Sequence, residues 1–187
     1  MKKVAILSSH NGSGFEALYE ASKNNILDIN IDLIISNNST AKVIDKAKSL
    51  NISNYIVNGK LFSNHDEKIV ELLNKYKCDT IFLSGYMKKL SPIITNNFNI
   101  INSHPSLLPS YGGVGMYGRF VHEAVIKNQE KISGVTIHKV NENYDDGEII
   151  LQKTLRIDKN ETAQTLENKI KLLEKEAIVE GFKCYLK

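Results

Sequence analysis

The sequence has little cysteine, and its two cysteines, Cys78 and Cys184, lie far apart without the spacing of metal ligands. This content argues against a disulfide framework and a zinc site, and it predicts reduced thiols in a cytosolic protein. Long apolar runs are missing too, since none approaches the roughly 18 residues of a membrane-spanning helix. The run near Met1 is too short for the apolar core of a secretion signal. We therefore expect a cytoplasmic protein.

An excess of one charge is also missing. The chain has 24 basic and 21 acidic residues, which gives a net charge of +3, and the basic residues are scattered along it. This balance provides no electrostatic footprint for nucleic acid, although it is compatible with a small anionic ligand. With 187 residues and 42% hydrophobic content, the chain fits a single globular domain over residues 1–187.

Short apolar runs alternate with amphipathic helical patterns along the chain. Strands are predicted at residues 3–8, 29–35, 54–57, 80–84, 98–101, 133–140 and 148–155. Helices are predicted at residues 15–24, 41–50, 64–76, 119–127 and 161–185. This alternation predicts an α/β fold with one doubly wound, mostly parallel, Rossmann-like sheet and helices on both of its faces. Ligands of such sheets bind beyond the carboxyl ends of the strands.

A glycine-containing turn, Asn11-Gly12-Ser13-Gly14, joins the first predicted strand to the first predicted helix. Backbone N–H groups at the start of a helix can bind anions, and glycines let the backbone approach a phosphate closely. The turn lacks the three spaced glycines of the dinucleotide-binding fingerprint. Because many similar turns bind nothing, a phosphate site and an ordinary turn are both open interpretations of this stretch alone.

Residues 101–109, Ile-Asn-Ser-His-Pro-Ser-Leu-Leu-Pro, follow a short apolar run. We expect Asn102 and His104 at or just past the end of this strand, with both side chains on the same side. Asn102 supplies an amide donor and acceptor, and His104 supplies a group that titrates near neutral pH. Pro105 favours an extended backbone at His104. A histidine at a strand exit often satisfies only a backbone carbonyl, but the full nonapeptide favours a functional site.

The motif at residues 102–109 resembles the signature of the folate-dependent formyltransferases, and the resemblance covers nearly the whole chain. Further matches are the Asn-Gly-Ser turn, the segment Gly-Tyr-Met-Lys-Lys-Leu-Ser-Pro at residues 85–92, and an acidic turn before Gln152. The members that this chain resembles most transfer a formyl group from 10-formyltetrahydrofolate to the amine of 5-phosphoribosylglycinamide in purine biosynthesis. The resemblance therefore implies this activity, with formylfolate as the co-substrate and no metal.

The resemblance also implies three groups of site residues. The expected catalytic residues are Asn102, His104 and Asp145. The residues expected to bind the substrate's phosphate and ribose are Asn11, Gly12, Ser13, Gly14 and Glu174. The residues expected to bind folate are Met87, Lys88, Lys89, Leu90, Asn102, Val140, Asn141, Tyr144 and Asp145. The chain departs from the family at Gly14, where members usually have asparagine, and at Asp146, where they have glycine. Asp146 is therefore an alternative to Asp145.

Two other histidines lie in predicted helices and strands. His122 falls inside the predicted helix 119–127, where we expect a structural role. His138 lies in a predicted strand with Thr136 on the same face, and a strand histidine is more often packed or hydrogen-bonded than catalytic. We expect His138 to support the site without contacting substrate. The glycine-rich residues 113–118 predict a mobile loop before the helix at 119–127.

Rival functions come from several protein classes. A sugar-nucleotide N-formyltransferase is the strongest rival, and the phosphate turn distinguishes the expected enzyme from it. A formyltetrahydrofolate hydrolase usually has a further N-terminal domain, and a methionyl-tRNA formyltransferase has a further basic C-terminal domain, so we expect neither. A phosphate-binding module without catalysis would leave Asn102, His104 and Asp145 unexplained. We expect small-molecule partners only, without nucleic acid or membrane, and a monomer or homodimer.

Overall fold

The computed structural model describes all 187 residues, which form seven strands and six helices. The strands are β1 (Lys2–Leu7), β2 (Ile29–Ser36), β3 (Ser53–Ile56), β4 (Thr80–Leu83), β5 (Asn99–His104), β6 (Ile132–Lys139) and β7 (Ile149–Arg156). The helices are α1 (Ser13–Lys23), α2 (Lys42–Ser49), α3 (His65–Tyr76), α4 (Pro92–Thr95), α5 (Arg119–Lys127) and α6 (Ala163–Tyr185). No helix combines the length and apolar content needed to cross a bilayer.

The strands form one sheet in the order β3-β2-β1-β4-β5-β6-β7. β1 pairs in parallel with β2 and β4, and β2 pairs in parallel with β3. β7 runs antiparallel to β6. All four residues of β4 are buried, as is typical of a parallel strand whose two faces are both covered. The predicted α/β fold with a mostly parallel sheet is confirmed.

The chain divides into two compact units, Met1–Ile101 and Asn102–Lys187, and the single domain over residues 1–187 stays a prediction. In the first unit, helices contribute apolar stripes at spacings of three and four residues. Phe15 and Leu18 of α1, with Ile69 and Leu73 of α3, are completely buried. Burying one such side chain stabilises a fold by about 1.5–3 kcal/mol.

The second unit is built on β6, β7 and the long helix α6. Leu166, Ile170 and Phe182 of α6 are buried. At Gly181 the helix approaches β6 so closely that a Cβ atom would lie 2.8 Å from Cγ2 of Ile137. α6 therefore covers the face of β6 that carries Ile137, and the next residue in the strand, His138, projects from the opposite face.

Two elements differ from the sequence prediction. β5 is longer than the predicted strand 98–101, because pairing continues through Asn102 to His104 before Pro105 ends it. The short helix α4 was not predicted. It begins at Pro92 after Ser91, and a proline at the first position of a helix loses no hydrogen bond there.

Candidate active site

β5 ends in the polar residues that the sequence singles out. The strand passes through Asn102 and Ser103 to His104. Because side chains alternate along a strand, Asn102 and His104 project from one face and Ser103 from the other. Only 4% of the surface of His104 is exposed. A positive charge on this ring therefore needs a partner inside the protein.

Asp145 supplies a negative charge at this position. Its Oδ2 lies 3.5 Å from Nδ1 of His104, and its Oδ1 lies 3.7 Å from Nε2 of His138. The backbone N–H of Gly113 donates to Asp145 Oδ2 at 2.9 Å. The neighbouring Asp146 is exposed, and its carboxylate accepts a 3.4 Å hydrogen bond from the side chain of Asn143. Of these two acidic residues, Asp145 is therefore the one beside the histidines.

Backbone carbonyls determine which ring nitrogen carries the proton in each histidine. Nε2 of His104 lies 2.8 Å from the carbonyl oxygen of Tyr111, and Nδ1 of His138 lies 2.8 Å from that of Lys139. A carbonyl can only accept, so neutral His104 carries its proton on Nε2 and neutral His138 carries it on Nδ1. The unprotonated Nδ1 of His104 then faces the carboxylate of Asp145.

His138 orients the amide of Asn102. With its proton on Nδ1, His138 accepts a hydrogen bond at Nε2 from Nδ2 of Asn102, at 3.1 Å. Burial lowers the pKa of His138, although the Lys139 carbonyl and the charge of Asp145 act in the opposite direction. The ring therefore stays neutral and remains an acceptor at neutral pH. The second N–H of the Asn102 amide is left for another acceptor.

A buried hydroxyl holds the turn that follows His104. Thr136 Oγ1 donates to the carbonyl of Ser106 at 2.7 Å and accepts from the N–H of Leu108 at 3.0 Å. Gln152 Nε2 donates to Thr136 Oγ1 and to the carbonyl of Leu108, each at 2.9 Å. Side chains of β6 and β7 thus hold the backbone of this turn in place through hydrogen bonds. In the sequence, Gln152 only marks the end of the acidic-turn match, and nothing in the pattern indicates this contact.

Close backbone approach requires glycine next to Asp145. A Cβ atom on Gly147 would lie 1.8 Å from the carbonyl oxygen of Lys139, which no side chain can accommodate. A Cβ atom on Gly112 would lie 3.2 Å from Cβ of Asp145 and 2.5 Å from Cδ2 of Leu108. The backbone of the acidic turn is therefore packed against the end of β6.

The phosphate turn predicted from the sequence, Asn11 to Gly14, joins β1 to α1 in the first unit. Gly12 adopts a left-handed conformation, with φ of 63°, and a Cβ atom there would lie 2.5 Å from Cγ2 of Val43. The N–H of Phe15 donates to Ser84 Oγ at 3.1 Å. The N–H groups of Ser13 and Gly14 precede the first helical hydrogen bond and have the orientation that favours anions.

The predicted folate segment, Met87 to Leu90, lies in the loop after β4. The N–H of Met87 donates to Ser9 Oγ at 2.8 Å, which ties this loop to the end of β1. Met87, Lys88 and Lys89 are exposed, whereas Leu90 is buried. The loop therefore has a fixed base and an exposed outer surface.

Comparison with known proteins identifies the family. Residues 2–182 match the formyl transferase family model. The chain belongs to the formyl transferase family. It is 35% identical over 179 residues to phosphoribosylglycinamide formyltransferase of Bacillus subtilis (strain 168), covering 93% of this chain and 89% of that protein. It is 33% identical over 177 residues to the Homo sapiens trifunctional purine biosynthetic protein adenosine-3, covering 92% of this chain and 17% of that protein. The crystal structure of phosphoribosylglycinamide formyltransferase from Bacillus halodurans has a TM-score of 0.91 and 30% identity, covering 100% of this chain and 96% of that one.

Glu174, which the sequence predicts to bind the substrate, lies apart from the histidines. It accepts a 2.6 Å hydrogen bond from the hydroxyl of Ser103. Ser103 projects from the face of β5 opposite to His104, so Glu174 lies on the α6 side of the strand. Burial raises the pKa of Glu174, and the Ser103 hydrogen bond and the charge of Lys171 oppose this shift.

The other residues of the second unit that the sequence predicts to bind folate lie in the turn between β6 and β7. Val140 is partly exposed, and Asn141 and Tyr144 are exposed. Asn141 Oδ1 accepts the N–H of Asn143 at 2.9 Å, which forms a local turn.

In the second unit, the structure thus brings Asn102, His104 and Asp145 together, with His138 among them. His138 contacts this cluster through its bond to Asn102, and its supporting role stays a prediction.

Proposed function

We propose that this chain transfers a formyl group from 10-formyltetrahydrofolate to the amine of 5-phosphoribosylglycinamide in purine biosynthesis. The observation that carries the proposal is the position of Asp145 beside His104, with Asn102 oriented by His138. The relatives named above support the same reaction. The expected location is the cytoplasm, and the expected assembly is a monomer or a homodimer.

His104 and Asn102 are proposed to stabilise the oxyanion that develops on the formyl oxygen. The Tyr111 carbonyl occupies Nε2 of His104, so a proton gained by the ring goes to Nδ1. At 3.5 Å from Asp145 Oδ2, Nδ1 is too far for a hydrogen bond of normal length. A proton on Nδ1 can therefore be offered to the formyl oxygen, while the second N–H of Asn102 donates to the same atom.

Asp145 is proposed to stabilise the charged His104 ring and to take up the proton that the attacking amine loses, directly or through water. The buried position of His104 strengthens the attraction between the two charges relative to water. No enzyme nucleophile is required, because the amine itself attacks the formyl carbon. The proton that leaves the amine balances the one that the folate nitrogen gains when the carbon–nitrogen bond breaks.

The phosphate turn is proposed to anchor the acceptor substrate through N–H groups of Gly12, Ser13 and Gly14 and through the Ser13 hydroxyl, with Asn11 beside them. Glu174 is proposed to bind a ribose hydroxyl in exchange for Ser103. Anchoring the phosphate far from the reacting amine lowers the entropic cost of aligning that amine with the formyl carbon.

Two exposed segments are proposed to bind the folate. Residues 87–90 are expected to contact the pterin ring, partly through backbone groups, and residues 140–145 are also expected to contact the folate. The half-exposed side chains of Met87 and Tyr144 (43% and 49% exposed) offer apolar surface that an aromatic ring would cover.

The test is a set of initial rates with one formyl donor and three acceptors. Loss of 10-formyltetrahydrofolate is followed spectroscopically with 5-phosphoribosylglycinamide, with an amino-sugar nucleotide, and with no amine. We expect turnover with the first acceptor alone. Turnover without an amine would assign the chain as a hydrolase, and preference for the amino-sugar nucleotide would assign it to the rival transferases.

A further inference from the structure

Lys46, in the last turn of α2, is tied to the phosphate turn. Its Nζ donates to the carbonyl oxygen of Asn11 at 2.7 Å, across 35 residues of sequence. The same Nζ lies 2.6 Å from Oε1 of Glu16, in the first turn of α1. The Lys46 side chain is 32% exposed, so it is partly shielded from solvent. No motif in the sequence includes this residue.

α2 supports the turn at two further points. The N–H of Val43 donates to the carbonyl of His10 at 3.1 Å. The Val43 side chain packs under Gly12 closely enough that a Cβ atom there would lie 2.5 Å away. Lys46 lies one turn further along the same face of α2. The helix thus fixes three consecutive residues of the turn, 10 to 12, from one side.

The bond from Lys46 has a consequence for the backbone of the turn. In a planar trans peptide, the carbonyl and the N–H of the same unit point in opposite directions. With the Asn11 carbonyl directed at Lys46, the N–H of Gly12 points away from α2. A carbonyl oxygen is thereby kept from facing a bound anion, and an N–H is added to those of Ser13 and Gly14.

The ion pair between Lys46 and Glu16 also changes the charge near the turn. A carboxylate in the first turn of a helix stabilises the helix dipole, but the carboxylate of Glu16 also repels an anion bound at that end. Lys46 neutralises Glu16 at 2.6 Å. An ordinary exposed ion pair contributes little to stability, and it would not also engage a turn carbonyl.

We propose that Lys46 is a positioning residue that makes the turn at residues 11–14 selective for a phosphorylated substrate. This inference rests on the proposed function for its substrate. Lys46 acts through the Asn11–Gly12 peptide and through Glu16. Its effect is therefore on the affinity for the phosphate group and not on the rate of formyl transfer.

The test compares Lys46→Met with the matched control Lys48→Met. Lys48 is on the same helix, its side chain is 65% exposed, and its Nζ lies 4.0 Å from Oδ1 of Asp45. Lys46→Met should raise KM for 5-phosphoribosylglycinamide about tenfold, as for the loss of one charge-assisted hydrogen bond. It should leave kcat and the KM for the formyl donor within about twofold. Lys48→Met should behave as wild type, and Lys46→Arg should recover part of the affinity.

The dephosphorylated acceptor, ribosylglycinamide, separates phosphate recognition from a general structural effect. Wild type and Lys46→Met should use it with equal kcat/KM. An unchanged KM for the phosphorylated acceptor would overturn the proposal. An equal loss of kcat/KM with both acceptors in Lys46→Met would also overturn it.

A binding measurement keeps the inference testable if the chain formylates neither acceptor. Inorganic phosphate is titrated into ¹⁵N-labelled wild type and Lys46→Met, and the amide shifts of Ser13 and Gly14 are followed. We expect saturable shifts in wild type and about tenfold weaker binding in the variant. If phosphate binding weakens in this way but the protein transfers no formyl group, only the proposed function is refuted. Absence of shifts in wild type, or equal affinities, would refute the role of Lys46.

Discussion

Replacing Asp145 by asparagine removes the negative charge beside His104 and keeps the shape of the side chain. With Nδ1 and Oδ2 separated by 3.5 Å, two unit charges interact by about 5 kcal/mol at an effective dielectric constant of about 20. Asparagine retains a dipole, so we expect a loss of about 4 kcal/mol in the transition state, or about a thousandfold in kcat. This value lies within the range of about a hundred- to ten-thousand-fold found for general acid–base groups.

The assay measures kcat for Asp145→Asn, for His104→Ala and for the double variant, at saturating concentrations of both substrates. The double variant should lose little more than the more damaged single variant, because residues that act as a unit are not additive. Asp146→Asn is the matched control, since Asp146 is exposed and contacts Asn143, and it should keep near-normal turnover. Multiplicative losses, or an Asp145→Asn enzyme with near-normal kcat, would refute the coupling. A large loss in Asp146→Asn would move the role to that residue.

Three further predictions concern binding and stability. Gly12→Val places a side chain against Val43 at a position whose backbone is left-handed. We expect a higher KM for the phosphorylated substrate and an unchanged KM for the formyl donor. The free energy of unfolding should fall by about 1–3 kcal/mol. Gly59→Val, where the glycine has open space around it, should change none of these. A folate analogue should slow amide hydrogen exchange at residues 87–90 and 141–145, and protection confined to other segments would contradict the proposed folate contacts. Glu174→Gln should raise KM for the substrate and also raise Tm, by about 2–4 °C for each 1 kcal/mol gained. Burial raises the pKa of Glu174, so its ionised form costs stability. The gain in stability of Glu174→Gln should be complete at a pH above the folded-state pKa of Glu174, and it should vanish as the pH falls below the unfolded-state pKa. A lower Tm for the variant at neutral pH would refute this prediction.

The fold was predictable because its signals are local. Apolar runs and helical stripes follow from side-chain periodicity, and they predict the seven strands and every helix except the one-turn α4 to within a few residues. α5 falls at Arg119–Lys127, as the pattern predicts. The end of β5 was placed too early because Asn102 and His104 are polar. Residues with polar side chains can belong to a strand when their backbone groups pair with a neighbouring strand. A single sequence does not show such pairing.

The site was predictable only in part, for the same physical reason. Asn102 and His104 belong to one motif, and the position of Asp145 came from the resemblance to formyltransferases. The bond from His138 to Asn102 joins two strands, and the bond from Lys46 to Asn11 joins a helix to a turn. The residue types do not indicate either contact, because histidines are common in strands and lysines are common in helices. Such contacts depend on tertiary packing.

The measurement that tests the central claim most directly follows the fate of the formyl carbon. 10-Formyltetrahydrofolate labelled with ¹³C in the formyl group is mixed with wild-type protein and 5-phosphoribosylglycinamide, and the labelled product is identified by NMR. We expect the label in an N-formyl group on the glycinamide nitrogen, at a rate that falls about a thousandfold in Asp145→Asn. Label recovered as formate, or retained on the folate, would contradict the account.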